Sequence, residues 1–178
     1  VGMQVFKLKK SQRFFLNKAT APMGYGLPAA IGAYYGSKQT IFCIEGDGSL
    51  HMNIHELQVV AQNKLPIKII FFNNDGYLSI KTTQRNFCDG LLSLSNAESG
   101  LTLPDYSKIA FAYNIKYSSA RTIEELTTVF DNMSTNNDPE LIEIFTHPDE
   151  KHEPKVSAQI DEHGNFIPGE LHTIDWLS

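Results

Sequence analysis

Cysteine is almost missing from this sequence: among 178 residues there are only Cys43 and Cys88, far apart and outside any CxxC pair. That excludes a disulfide-stapled secreted scaffold and a cysteine-built zinc module. It reads instead as two reduced thiols in a cytoplasmic protein, with Cys43 inside a core strand. Positive charge is not in excess either. Fifteen Lys and Arg against 20 Asp and Glu leave a net charge of -5 and a pI near 5.6, so neither nucleic acid nor an anionic membrane is expected as a partner. No apolar run reaches membrane-spanning length, and the first residues carry no signal-peptide core. An initiating Met is absent too, and VGMQVFKLKKSQRFF reads like the middle of a longer chain. Tryptophan occurs once, as Trp176. What the sequence does have is 42% hydrophobic residues, enough for the core of one ordinary domain.

Apolar runs alternate with helical patterns along the chain. Residues 13–16 have the composition of a short strand, and residues 24–36 place small and apolar side chains at helical spacing. TIFCIE (40–45) is a strand, and residues 52–63 form an amphipathic helix through Ile54, Leu57, Val60 and Ala61. The run 67–72, apolar but for Lys68, marks a strand buried on both faces. A short helix is expected over 77–83, and the Ser-, Gly- and Asn-rich stretch 89–103 is a loop. Residues 104–113 are helical with Ile109 and Phe111 inward, 115–118 a strand, and 141–145 the last strand. Thr122 and Glu125 have the spacing of a capping box opening a helix over 123–133. Such alternation specifies an α/β fold, doubly wound, with a mostly parallel sheet and helices on both faces.

Ligands of such sheets sit beyond the carboxyl ends of the strands. Two candidate turns stand there: GDGSLHMN (46–53) after one strand and NNDGY (73–77) after the next. One intervening helix lets a βαβ crossover bring Asp47 beside Asn74. A carboxylate, an amide carbonyl and a free backbone carbonyl are hard oxygen donors, suited to Mg²⁺, which takes its remaining ligands from phosphates and water. Gly46, Gly48 and Gly76 remove side chains where a phosphate would crowd them, and Ser49 begins a helix whose N–H groups are unpaired. Those residues together ask for a diphosphate bridged by a divalent metal.

GDG followed by residues 49–72 and then Asn73-Asn74 resembles the cofactor motif of thiamin-diphosphate-dependent enzymes. APMGYGLPAAIGA (21–33), MNIHEL (52–57) and NKLPIKIIFFNN (63–74) are similar to the acetolactate synthase, pyruvate oxidase and pyruvate decarboxylase group. The resemblance covers about residues 6–146. It implies a diphosphate-binding domain over 1–146, a C-terminal extension wrapping the surface over 147–178, and a fragment of a longer three-domain chain. It also implies that Asp47, Asn74 and the Gly76 carbonyl ligate Mg, while Gly48 and Ser49 hold the diphosphate through backbone N–H groups. Gly24, Gly46 and Tyr77 belong to the cofactor-binding set. Met23 takes the place of the apolar wedge that bends the cofactor, and the Ala21 and Met23 backbone meets the pyrimidine edge; the family usually has Gly where Ala21 stands.

The implied reaction is decarboxylation of a 2-oxo acid with transfer of the acyl anion equivalent to an acceptor, an acetolactate-synthase-like carboligation by a transferase or lyase. The alternatives are a decarboxylase or oxidase of the same family, or a non-catalytic Mg/phosphate-binding module. No catalytic residue is assigned within the chain. The activating Glu is expected from the pyrimidine-binding domain of a neighbouring subunit, in a homodimer or homotetramer whose active site lies at the subunit interface. The stretch DGYLSIKTTQRNF (75–87) departs from the biosynthetic acetolactate synthases, which carry a Trp there, and Gln84 and Arg85 are candidates to meet a polar acceptor.

Two readings of the residues compete. GYGLPA with Glu45 matches the dinucleotide-binding pattern G-x-G-x-x-A plus an acid, although residues 17–23 separate the glycines from any preceding strand. His51 and His55 are four residues apart on a helix and could share a zinc, but no third ligand is spaced to join them, and solvated histidines are the plainer reading.

Overall fold

The computed structural model describes residues 6–17, 20–133, 137–150, 156 and 158–169. They fall into two compact units, one spanning Leu16–Asp149 and one drawn from Val1–Phe15 and Glu150–Ser178. In the second, Gln159–Ile160 and Phe166–Ile167 pair antiparallel around an Asp161 turn, and the rings of Phe6 and Phe14 lie 5.5 Å apart.

The larger unit is built on a parallel sheet of β1 (Ile41–Gly46), β2 (Ile67–Asn73), β3 (Lys116–Ala120) and β4 (Glu140–Phe145), in the order β1-β2-β4-β3. The centre of the sheet goes to the most continuously apolar strand. Every residue of β2 from Ile67 to Phe71 is buried, which requires cover on both faces. On one face Cys43, Ile67, Ile69, Phe71 and Leu141 meet α1 (Gly26–Ser37), α2 (Asp47–Met52), α3 (Leu57–Gln62) and α5 (Tyr106–Ala112) through Leu27, Leu50, Leu57 and Tyr106. On the other, Ile70 and Ile142 are buried while Phe42, Ile44 and Phe72 are exposed; α4 (Leu78–Phe87) follows β2 in the chain and α6 (Ile123–Asp131) follows β3. Because β1 and β2 are neighbours in register, Gly46 opposite Phe72, the turns that follow them emerge side by side.

Four expectations shift. Residues 13–16 form no strand; Phe14, Phe15 and Leu16 are exposed. The helix expected over 52–63 is broken at Asn53, whose φ of -127° leaves the helical region, and a 3₁₀ turn (Ile54–Glu56) leads into α3. The cause is tertiary: the Asn53 side chain donates to the Gly24 carbonyl at 2.5 Å, and holding that bond turns the backbone. Phe111 is 88% exposed, because α5 is set in register by Tyr106 and Ala110, four residues apart and both buried, which rotates Phe111 outward. At α6, Thr122 accepts from the Glu125 N–H at 3.2 Å, but the Glu125 carboxylate accepts from Arg121 N–H rather than Thr122, so only half the capping box forms.

Candidate functional site

Asp47 is the first residue of α2, and its carboxyl group lies 2% exposed between the ends of β1 and β2. Its Oδ1 accepts from the Gly48 N–H at 2.6 Å. Its Oδ2 accepts from the N–H groups of Asn74, at 3.0 Å, and Gly76, at 3.2 Å. The two turns foreseen from the sequence are thus tied into one by a single side chain. Burial raises the Asp47 pKa, and the N–H groups of Gly48, Gly76, Asn74 and Asp75 act against that rise. Beside it the Oδ1 of Asn74 is buried with no hydrogen-bond partner among the described residues. Buried oxygens are seldom left so. A hard cation held by Asp47 and Asn74 would satisfy it, so the donor set fits Mg²⁺ with phosphate or water completing the shell. Among the described residues no cluster of three or more His, Cys, Asp or Glu side chains could hold a metal instead.

The arm before α1 closes over this turn. Gly24, at φ +85°, donates its N–H to Ser49 Oγ at 2.9 Å and offers its carbonyl to Asn53. Met23 and Tyr77 meet above Gly48, where a Cβ would lie 2.2 Å from the Tyr77 ring and 3.1 Å from the Met23 methyl. Ala21 has a φ of +40°, in the left-handed region that favours glycine. Ala21, Met23, Gly24, Gly46, Asp47, Gly48, Ser49, Asn74, Gly76 and Tyr77 were the sequence candidates; contacts in the structure join Met23, Gly24, Asp47, Gly48, Ser49, Asn74, Gly76 and Tyr77. The glycines act differently from expectation. Of Gly46, Gly48 and Gly76, only Gly46 faces open space; Gly48 makes way for Tyr77 and Met23, and Gly76 for the Ser95 carbonyl.

Several residues around the site were not foreseen. Tyr106, 1% exposed with its ring 4.6 Å from that of Phe71, donates its hydroxyl to the Asp47 carbonyl at 2.6 Å. The stretch read as plain loop contains a 3₁₀ turn (Ala97–Ser99) with a complete Asn96–Ser99 capping box, and it pins the second turn through Tyr77 N–H to Ser95 O at 2.9 Å. The Asn96-x-x-Ser99 spacing was the available signal. Asn73, next to Asn74, donates to Glu143 at 2.5 Å, and Glu143 also accepts from Tyr117. These groups line a cavity of about 410 Å³ at the carboxyl ends of β2, β3 and β4.

Other expectations resolve here. Gln84 gives both ends of its amide to the Ser93 backbone, and Arg85, its side chain 43% exposed, pairs with Asp149 at 2.8 Å. His51 and His55 are exposed, and His55 lies 3.7 Å from Glu56. The dinucleotide reading fails: no strand abuts the glycines, and Glu45 lies buried against Gly26. Cys43 and Cys88 are free thiols, and burial, then Glu45, pushes Cys43 up to about 12. No described helix is long and apolar enough to cross a membrane.

Comparison with known proteins adds to this geometry. Residues 1–144 match the family model for the thiamine pyrophosphate enzyme C-terminal TPP-binding domain. An acetolactate synthase large subunit of Cyanidium caldarium is 35% identical over 136 residues, 76% of this chain and 23% of the relative. The acetolactate synthase isozyme 2 large subunit of Escherichia coli K12 is 31% identical over 137 residues, 76% of this chain and 24% of the relative. Among solved structures, a thiamine diphosphate-dependent 4-hydroxybenzoylformate decarboxylase of Rhodococcus jostii RHA1 superposes with a TM-score of 0.63 and 32% identity, over 72% of this chain and 24% of that one. The chain spans about a quarter of the length of these relatives.

Proposed function

The chain belongs to the thiamin diphosphate enzyme family, as its C-terminal cofactor-binding domain, and from that premise we propose that the Asp47–Asn74 turn holds the cofactor's diphosphate through Mg²⁺. The observation that carries the reading is the buried Asp47 carboxylate tied to the backbone of Asn74, whose side-chain oxygen has no hydrogen-bond partner among the described residues. Asp47, Asn74 and the Gly76 carbonyl would hold the cation, and the N–H group of Ser49, with that of Gly48 once it turns from Asp47 Oδ1, the phosphate oxygens. Met23, with Ala21, Gly24 and Tyr77, forms the wall for the rings, and Gly46 leaves space beside it.

When bound, the cofactor supplies the carbon nucleophile for cleavage of a 2-oxo acid. The protein's part here is to bind, orient and exclude water. The activating carboxylate comes from outside the chain, since Glu45 is packed under α1 and Glu56 lies in the 3₁₀ turn. The working enzyme is then a homodimer or larger assembly that completes the site with a pyrimidine-binding domain. The curated relatives favour acetolactate-synthase-like carboligation, and the two free thiols suit a cytoplasmic enzyme. Likeness to a decarboxylase supports the second reading, release without transfer, and analysis of products from pyruvate separates the two.

Two phosphates beside Asp47 without a cation would set like charges within a few ångströms, which is unfavourable at any dielectric the site offers. Calorimetric titration of the complete protein with thiamin diphosphate should therefore show binding in Mg²⁺ and none in EDTA, and Asp47→Ala should abolish it. Equal affinity in the two buffers would refute the assignment.

A further inference from the structure

Glu45 is 8% exposed, and neither of its carboxyl oxygens has a hydrogen-bond partner in good geometry among the described residues. Such burial is unfavourable unless the surroundings compensate. The surroundings are the first turn of α1. A Cβ on Gly26 would lie 1.8 Å from Glu45 Oε1 and 2.5 Å from its Cδ, so the carboxyl group fills the room that a side chain at 26 would take. α1 is 12 residues long, its N-cap Tyr25 gives no side-chain cap, and its first turn contains no acid. Its leading N–H groups are unpaired within the helix and lie at the positive end of its dipole. Glu45 therefore stands where a capping acid would, delivered by the adjacent strand.

Directly before α1 runs the arm that carries Met23. Its Gly24 is gripped from both sides, N–H to Ser49 Oγ at 2.9 Å and carbonyl from Asn53 Nδ2 at 2.5 Å. The Asp47 turn is secured by a different set of bonds, to Gly48, Asn74, Gly76 and Tyr106. We infer that Glu45 is a positioning residue: with Ser49 and Asn53 it fixes the Met23 arm, so that the ring end of thiamin diphosphate is gripped separately from its diphosphate end. The inference rests on the function proposed above.

Glu45→Gln keeps the shape and turns one acceptor into a donor facing N–H groups. The complete protein is titrated in Mg²⁺ with thiamin diphosphate and, separately, with inorganic diphosphate. The variant should bind thiamin diphosphate roughly tenfold more weakly and inorganic diphosphate within about twofold of the parent. In the cofactor-free protein, amide hydrogen exchange should quicken at Gly26 and Leu27 and stay unchanged along β1. Equal losses for both ligands, or unaltered thiamin diphosphate binding and exchange, overturns the inference. Asn53→Ala, which removes the bond to the Gly24 carbonyl, should give the same split, and it carries the test if Glu45→Gln does not fold. A parent protein that binds neither ligand overturns the proposed function, and the inference with it.

Discussion

Gly76→Ala tests how tightly the second turn is built. Gly76 has a φ of +142°, which L side chains rarely adopt, and a Cβ there would sit 2.4 Å from the Ser95 carbonyl oxygen and 3.3 Å from Asn96 Cα. Holding a non-glycine residue in such a region costs about 1–3 kcal/mol. Ordinary C···O contacts begin near 3.3 Å, so one backbone segment must also retreat by roughly 0.9 Å. Both neighbours are backbone, with no flexible side chain to give way. The retreat strains the Tyr77 N–H to Ser95 O bond, now 2.9 Å, worth about 1 kcal/mol. The sum is about 3 kcal/mol, which at a urea m-value of about 2 kcal/mol/M lowers the midpoint by roughly 1.5 M. Two companions isolate the terms. Gly90→Ala, at φ +76° with no atom within 4 Å, carries only the backbone cost, about 1 kcal/mol. Gly32→Ala, inside α1 and also unobstructed, should stabilise by about 0.5–1 kcal/mol. Urea unfolding of the three cofactor-free variants decides. If Gly76→Ala loses no more than Gly90→Ala, the Ser95 carbonyl does not confine the turn and the reasoning fails.

Tyr106→Phe keeps the ring on Phe71 and removes the hydroxyl from the Asp47 carbonyl; it should cost about 1 kcal/mol, lowering Tm by roughly 3 °C. Metal-dependent cofactor affinity should fall with it, and a variant unchanged in both melting and titration would deny that bond. Asp149 is held at about 2 by its hydrogen bonds to Lys81 and then Arg85, below its ordinary 3.8. A lowered carboxyl pKa stabilises the fold above the ordinary value and loses that contribution as pH falls through the lowered one. The stability gap between the parent and Asp149→Asn should thus be constant above about pH 5 and shrink progressively toward about pH 1; a gap as large at about pH 2 as at neutral pH contradicts the pairing.

The local signals in the sequence were enough for the sheet and for both turns. The apolar run of β2, interrupted only by Lys68, calls for burial on two faces, and a strand-helix-strand crossover brings consecutive strand ends together, so Asp47 and Asn74 met as expected. Each of those inferences depends on periodicity or chain connection, which neighbouring residues carry. The contacts between distant residues had no such signal. That Asn53 breaks a helix to hold Gly24, that Tyr106 is anchored on Asp47, that Gly48 yields to Tyr77, and that Phe111 faces outward each depends on which of several similar side chains a partner far along the chain can reach. Gln84 and Arg85 stood out by their place after the second turn, but their bonds to Ser93 and Asp149 had no local signal either. Glu45 shows the division most plainly. Its place at the end of a strand was legible in six residues of sequence, while its role at the head of α1 arises only when the β1–α1 packing sets that carboxyl group against Gly26.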